Sequence, residues 1–222
     1  MSIRIDKITK KYKRDTREEV VLKDFEYDIP EGKFTVFHGE SGVGKSTLLR
    51  IVSGLTKPTE GKVYFGDVEI TALNDIDISE FRKKHLGIMT QNIELIPYLS
   101  VIDNLKFVYG LNNDLKKGAE VDEEKIEELL SELGLHELRN EFPSSLSSGE
   151  LKRAAIARTL INSPRYIIMD EPTANLDHKN VVKVLKLLCK YVENGSTVII
   201  SSHEEEALEY ADNHKKLEFI KQ

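Results

Sequence analysis

Lys33-Phe34-Thr35-Val36-Phe37-His38 runs into Gly39-Glu40-Ser41-Gly42-Val43-Gly44-Lys45-Ser46-Thr47, and that into Leu48-Leu49-Arg50-Ile51-Val52. The first segment is β-branched and aromatic, the second is punctuated by glycines, and the third has apolar residues at helical spacing. The middle segment fits G-x-x-x-x-G-K-[ST] in the strand–loop–helix setting that this motif requires. Gly39, Gly42 and Gly44 let the backbone turn with its N–H groups inward, making a cage for phosphate oxygens. The helix that follows adds the positive end of its dipole. Lys45 can carry an ammonium to the β- and γ-phosphates, and the Ser46 hydroxyl can take a place on Mg²⁺. The whole run Gly39, Glu40, Ser41, Gly42, Val43, Gly44, Lys45, Ser46 and Thr47 is therefore the candidate binding loop, and a nucleoside triphosphate its expected ligand. A chance glycine-rich turn is the alternative, and the strand and helix on either side weigh against it.

Working outward, 222 residues with 40% hydrophobic and 32% charged content suit one α/β domain with a substantial core. The net charge of −6 argues against a nucleic-acid surface as the main purpose, so no nucleic-acid partner is expected. Cys189, the only cysteine, cannot form an intrachain disulfide and reads as a buried helix residue in a reducing compartment. Met1-Ser2-Ile3-Arg4-Ile5-Asp6 alternates like a strand and not like a signal peptide. With no apolar run long enough to span a bilayer, the expectation is a cytosolic protein that reaches a membrane only through a partner.

Residues 1–30 read as two or three strands, and Lys62-Val63-Tyr64-Phe65 as another. Residues 77–86 read as a short helix, Gly87-Ile88-Met89-Thr90 as a strand ending at Gln91, and Ser100 as the N-cap of a helix through Leu105. Residues 111–121 are polar and read as a surface loop. Ile126, Leu129, Leu130 and Leu133 mark an amphipathic helix stopped by Gly134. A helix over 151–161, the strand Tyr166-Ile167-Ile168-Met169, a helix over 180–192 and the strand Thr197-Val198-Ile199-Ile200 follow, and residues 217–220 close the chain. This alternation implies a mainly parallel sheet flanked by helices. Residues 91–160 lack strand signals and are expected to form a helical lobe on a core made of 1–90 and 161–222.

The carboxyl edge of such a sheet holds the ligand. Asp170 and Glu171 fall there, at the end of strand 166–169, and can divide the labour: Asp170 on Mg²⁺, Glu171 orienting and deprotonating a water. An acidic turn stopped by Pro172 is the plain alternative. Gln91 also ends a strand, within reach of metal and water. His203 follows Val198-Ile199-Ile200-Ser201-Ser202, where it suits a hydrogen bond to a γ-phosphate and is otherwise a structural or solvent-exposed histidine. Tyr12, alone among Lys10, Lys11, Lys13 and Arg14, is either an exposed tyrosine in a basic turn or a stacking platform for adenine. Leu146-Ser147-Ser148-Gly149-Glu150 reads first as an ordinary capping box, Ser147 with Glu150. It also offers a second anion-binding helix tip, and so the idea that it serves the nucleotide of another copy.

In this order the motifs resemble those of the nucleotide-binding subunits of ABC transporters, over nearly the whole chain. Tyr12, the loop 39–47, Gln91, the signature 146–150, Ile167-Ile168-Met169-Asp170-Glu171, Ala174-Asn175-Leu176-Asp177 and His203 carry the match. The resemblance implies a P-loop NTPase fold, α/β with a mainly parallel core sheet, an N-terminal antiparallel β part and a helical subdomain. It implies one such domain over 1–222. It further implies an ATPase using ATP and Mg²⁺ in a head-to-tail homodimer, each ATP lying between one copy's residues 39–47 and the other's Ser147 and Gly149. Catalysis would fall to Glu171, His203, Gln91 and Lys45, and the metal to Ser46, Gln91 and Asp170. The helical lobe would carry the motion to a membrane permease, touching it between Gln91 and Asn104, which puts the subunit on the cytoplasmic face of the cell membrane. Asn175-Leu176-Asp177 and the run 96–105 are similar to the group that releases lipoproteins or expels antimicrobial peptides, macrolides or haem. The signature departs from the usual form at Ser148, where glycine is usual, and at Glu150, where glutamine is. The closest rival is the cell-division kind, in which the same architecture regulates a cell-wall enzyme and transports nothing. A small-molecule kinase has no use for the signature, a chromosome-maintenance ATPase would need a long coiled-coil insertion, and a translation factor would carry two cassettes.

Overall fold

The computed structural model describes residues 1–14, 17–93, 95–112 and 122–220, the side chains of Arg14, Arg17 and Asn112 excepted. Strand β1 (Ile3–Arg14) pairs antiparallel with β2 (Arg17–Ile29) on one side and with β4 (Glu60–Phe65) on the other. A short β5 (Val68–Glu69) extends β4. This is the antiparallel sheet, in the order β2-β1-β4-β5.

The second sheet is parallel throughout, in the order β6-β7-β8-β3-β9. Its strands are β3 (Phe34–His38), β6 (Leu86–Met89), β7 (Tyr166–Asp170), β8 (Thr197–Ser202) and β9 (Asn213–Lys216). β7 and β8 are buried along their whole length, which is why they read as continuous apolar runs. β9 was not legible in the same way. It sits at the sheet's edge with three of its four residues exposed, so it needs no apolar pattern; residues 217–220, which close the chain, lie beyond it and are not strand.

Successive side chains of a strand point to opposite faces, and the core divides accordingly. Tyr166, Ile168, Ile199 and Phe37 face helix α1 (Lys45–Val52) and the antiparallel sheet, with Ile3, Ile5, Val63 and Phe65. Ile167, Met169, Val198, Ile200 and Val36 face the other way, onto helices. Those helices are α3 (Val101–Asn112), α4 (Glu123–Glu132), α5 (Ser148–Leu160) and α6 (His178–Glu193). Helix α2 (Asp75–His85), capped by Asn74, starts two residues before its expected beginning and runs straight into β6, and a single turn α7 (Glu206–Glu209) follows β8. Leu111 and Asn112 finish α3, whereas the rest of the loop expected at 111–121 lies outside the described residues. No strand occurs among the described residues of 91–160.

Local chemistry sets the helix ends that matter for the site. Gly44 enters α1 with φ 103°, a left-handed conformation natural to glycine. Ser147 caps α5, which starts at Ser148, three residues before the start expected from its apolar pattern. Asp177 caps α6 by accepting from the Asn180 N–H, which holds its carboxyl below the usual range.

Helix α5 sits tightly on the parallel sheet because Gly87 of β6 has no side chain. A Cβ there would stand 2.6 Å from Pro164 Cγ and 2.7 Å from the Thr159 carbonyl oxygen. Gly87→Ala should therefore destabilise the fold by about 1–3 kcal/mol, read as a lower urea midpoint.

Candidate active site

Parallel pairing brings the ends of four strands level. Asp170 lies opposite Ser201, Phe37 opposite Ser201 on its other side, His38 opposite Ser202, and Met89 opposite Met169. The loop after β3, the Asp170-Glu171 pair, His203 and Gln91 thus emerge at one edge.

The loop's shape is forced at Gly39. With φ 144°, a Cβ would lie 2.4 Å from the Leu217 carbonyl oxygen, and the Leu217 N–H donates to the His38 carbonyl at 2.8 Å. The end of the chain beyond β9 thereby buttresses the start of the loop. Lys45 is 6% exposed; its Nζ donates to the carbonyls of Gly39 at 2.8 Å and Glu40 at 3.0 Å, and stands 3.7 Å from Glu171 Oε1. The Val43 side chain is buried in the core, so only its backbone can serve a ligand.

A cleft of about 660 Å³ opens over this loop, lined by Ser41, Gly42, Gly44, Lys45, Ser46 and Thr47 together with Tyr12, Gln91 and Glu171. Tyr12 stands at its mouth, 38% exposed, with Lys10 Nζ 5.1 Å from its ring centre. The expected basic turn is instead part of strand β1, where pairing with β2 holds the tyrosine and leaves its ring uncovered. A second, smaller cavity of about 100 Å³ is lined by Ser46, Gln91 and Asp170 among others, so Ser46 and Gln91 face both spaces. A hydroxyl, an amide oxygen and a carboxylate are hard oxygen donors that suit Mg²⁺, which takes few protein ligands and completes its shell with phosphate and water.

Glu171 is the hub. Its Oε2 is 2.8 Å from His203 Nδ1, its carboxylate faces Lys45, and its backbone is left-handed at φ 53°. Ser201, from inside β8, joins the acidic pair: its hydroxyl donates to Asp170 Oδ1 at 2.5 Å and accepts from the Glu171 N–H at 2.9 Å. Lys152 of α5 donates to the carbonyls of Glu171 at 3.1 Å and Ala174 at 2.6 Å, and burial pulls its pKa down. Neither Ser201 nor Lys152 stands out in the sequence. The faint signal for Ser201 is a serine pair inside an apolar strand.

Ser147 and Gly149 stand apart, since they do not line the cleft over the loop. The exposed tip of α5 is closed by a reciprocal capping box: Ser147 N–H and Oγ donate to Glu150 Oε2 at 2.8 and 2.7 Å, and the Glu150 N–H reaches back to Ser147 Oγ at 3.4 Å. Those bonds hold the Glu150 carboxyl below its usual range. Its charge is therefore directed into the cap. The other segment singled out, 91–104, presents Tyr98 at 86% exposure. Asn104 is itself buried and is no contact residue; its side chain accepts from the Ile96 N–H and donates to the Ile96, Leu99 and Ser100 carbonyls, fastening the turn that carries Tyr98.

The family described as ABC transporter matches residues 22–174. The chain belongs to the ABC transporter family. Among its relatives, the lipoprotein-releasing system ATP-binding protein LolD of Aquifex aeolicus is 38% identical over 206 residues, covering 93% of this chain and 90% of that protein. An ABC transporter ATP-binding protein of Methanocaldococcus jannaschii, MJ0796, is 37% identical over 207 residues, covering 91% and 87%. The dimeric structure of the MJ0796 cassette in a post-hydrolysis state with ADP and Pi superposes with a TM-score of 0.91 at 33% identity, covering 97% of this chain and 94% of that one. As an ABC cassette the chain is an ATP-binding subunit and an ATPase using ATP with Mg²⁺, of a kind that pairs with a second copy and with a membrane permease.

Because the folded-state pKa of Glu150 is depressed, its stabilising contribution is present above the ordinary glutamate range and fades as pH falls through the folded value. Glu150→Ala should lower the melting temperature at neutral pH, and its gap to wild type should close below about pH 4, followed by circular dichroism. Glu150→Gln keeps a capping acceptor and should leave ATP-dependent dimerisation equal or stronger.

Proposed function

We propose that this subunit hydrolyses ATP in a head-to-tail pair and drives a membrane permease that exports or extracts lipophilic or peptide substrates. The observation that carries the reading is the division of the site. Glu171 and Lys45 line the cleft over the loop and His203 is bonded to Glu171, while the capped tip of α5 lies outside the cleft. A second copy facing the first supplies the missing tip. The substrate class rests on the similarity to LolD and on the run 96–105.

In this reading the adenine stacks on Tyr12, and the backbone N–H groups of Gly39, Glu40, Ser41, Gly42, Val43, Gly44, Lys45, Ser46 and Thr47 cradle the phosphates. Lys45 exchanges its carbonyl partners for phosphate oxygens. Ser46, Asp170 and Gln91 would hold Mg²⁺, which would neutralise charge on the phosphates. Glu171 orients the attacking water and takes its proton. His203, 58% exposed and bonded to Glu171 through Nδ1, directs its other nitrogen to the γ-phosphate. Ser147 and Gly149 of the facing copy contact that same phosphate and close the sandwich. Hydrolysis removes the bridging group and the pair opens, a ligand-driven two-state cycle.

The cassette forms one unit over 1–222, with the helical part 91–160 passing the motion on. No described helix is long and apolar enough to cross a membrane, and attachment at the cytoplasmic face is through the permease, with the Tyr98 turn as the contact.

Glu171→Gln should cut turnover at least about a hundredfold while ATP-bound dimers accumulate in size-exclusion chromatography. Hydrolysis at the wild-type rate would assign the base to another residue. Tyr98→Ala should leave the basal ATPase rate of the isolated subunit unchanged and reduce recovery of the permease in co-purification from membranes. Undiminished recovery would remove Tyr98 from the contact.

A further inference from the structure

The main chain of Glu171 is gripped from both sides. On one side its N–H donates to Ser201 Oγ of β8, and on the other its carbonyl accepts from Lys152 Nζ of α5. Lys152 also bonds the Ala174 carbonyl, so one ammonium spans the turn from Glu171 to Ala174. That turn is bounded by two left-handed non-glycine residues, Glu171 at φ 53° and Asn175 at φ 63°. Such conformations persist only where their surroundings over-determine them. A lysine suits the task because it offers several donors and no acceptor, and the carboxylates of Glu171, Glu204 and Asp170 draw its charge inward. Lys152 stands little more than one turn along the helix that Ser147 caps. The same rigid helix therefore presents its tip to a second copy and holds the carboxylate turn of its own copy.

We propose that Lys152 is a positioning residue for ATP hydrolysis, fixing the Glu171–Ala174 turn to α5 so that the Glu171 carboxylate faces the cleft. The inference rests on the reading of Glu171 as the general base. Releasing the carbonyl lets the left-handed turn relax, and a displacement of about 1 Å at a catalytic group is enough to lower the rate by one or two orders of magnitude. Nucleotide affinity is not expected to follow, because Lys152 does not line the cleft.

The test measures steady-state kinetics and assembly in parallel. Lys152→Met should lower kcat at least about tenfold, with KM for ATP and binding of a fluorescent ATP analogue within twofold of wild type. Lys152→Arg, which retains paired donors, should recover part of the rate. Lys152→Met in the Glu171→Gln background should trap ATP-bound dimers as well as Glu171→Gln alone, since only chemistry has been displaced. An unchanged kcat in Lys152→Met overturns the proposal. So does loss of trapped dimers in the double variant, which marks a general collapse of α5. If Glu171→Gln alone hydrolyses ATP at the wild-type rate, the assignment of the base fails instead, and the inference falls with it.

Discussion

The register that sets Asp170 of β7 against Ser201 of β8, and His38 of β3 against Ser202, determines where every group of the site can be. Parallel strands leave their carboxyl ends on one edge, and the turns there need not pair with a neighbour. Shifting β7 by one residue would exchange Ile167 and Met169 with Tyr166 and Ile168 between the two core faces, and that exchange is prohibited by burial on both sides. The hydrophobic core thus specifies the geometry of the candidate site indirectly: it fixes the register, and the register fixes the spacing between Glu171, His203 and Lys45.

Held in that frame are charges that partly satisfy one another. Lys45 and Glu171 are 6% and 14% exposed and 3.7 Å apart, too long for a tight pair. Lys45 is bonded instead to two loop carbonyls, and Glu171 to a histidine. Each partner is one that an incoming polyphosphate can replace or turn to use. A tighter ion pair would have to be broken before a nucleotide could bind, whereas neutral acceptors for Lys45 keep its charge available at modest cost. The loop is shaped before the ligand arrives and its ammonium is already pointed inward.

Much of this was legible in the chain. The loop 39–47 announces itself because its chemistry needs glycines and a lysine at fixed spacing. β7 and β8 are legible because strands buried on both faces must be apolar throughout. Ser147 and Glu150 form the capping box their spacing suggests. β9 is not legible, because an edge strand with its side chains in solvent carries no constraint on composition. Ser201 and Lys152 were missed for a different reason. Both act on the acidic pair from distant parts of the chain, 30 residues after and 19 residues before Glu171, and neither position belongs to a local pattern. Asn104 shows the same limit: its place in the sequence puts it in the segment expected to face a partner, but its burial makes it the fastening of that segment and not its surface.

The two faces of the parallel sheet do different jobs. On one, α1 and the antiparallel sheet pack under the loop and bring Tyr12 to its mouth. On the other, α3, α4, α5 and α6 share a single apolar cluster that also contains Val36, Ile167, Met169, Val198 and Ile200. Close-packed interiors of this kind transmit displacement and do not absorb it. The tip of α5 cannot move without moving the elements packed beside it, among them α3, which begins where the Tyr98 turn ends. The capped tip of α5 and the exposed Tyr98 turn are therefore joined through one core. Gly87 sharpens that link, because its missing side chain lets α5 rest on β6, the strand that delivers Gln91 to the site.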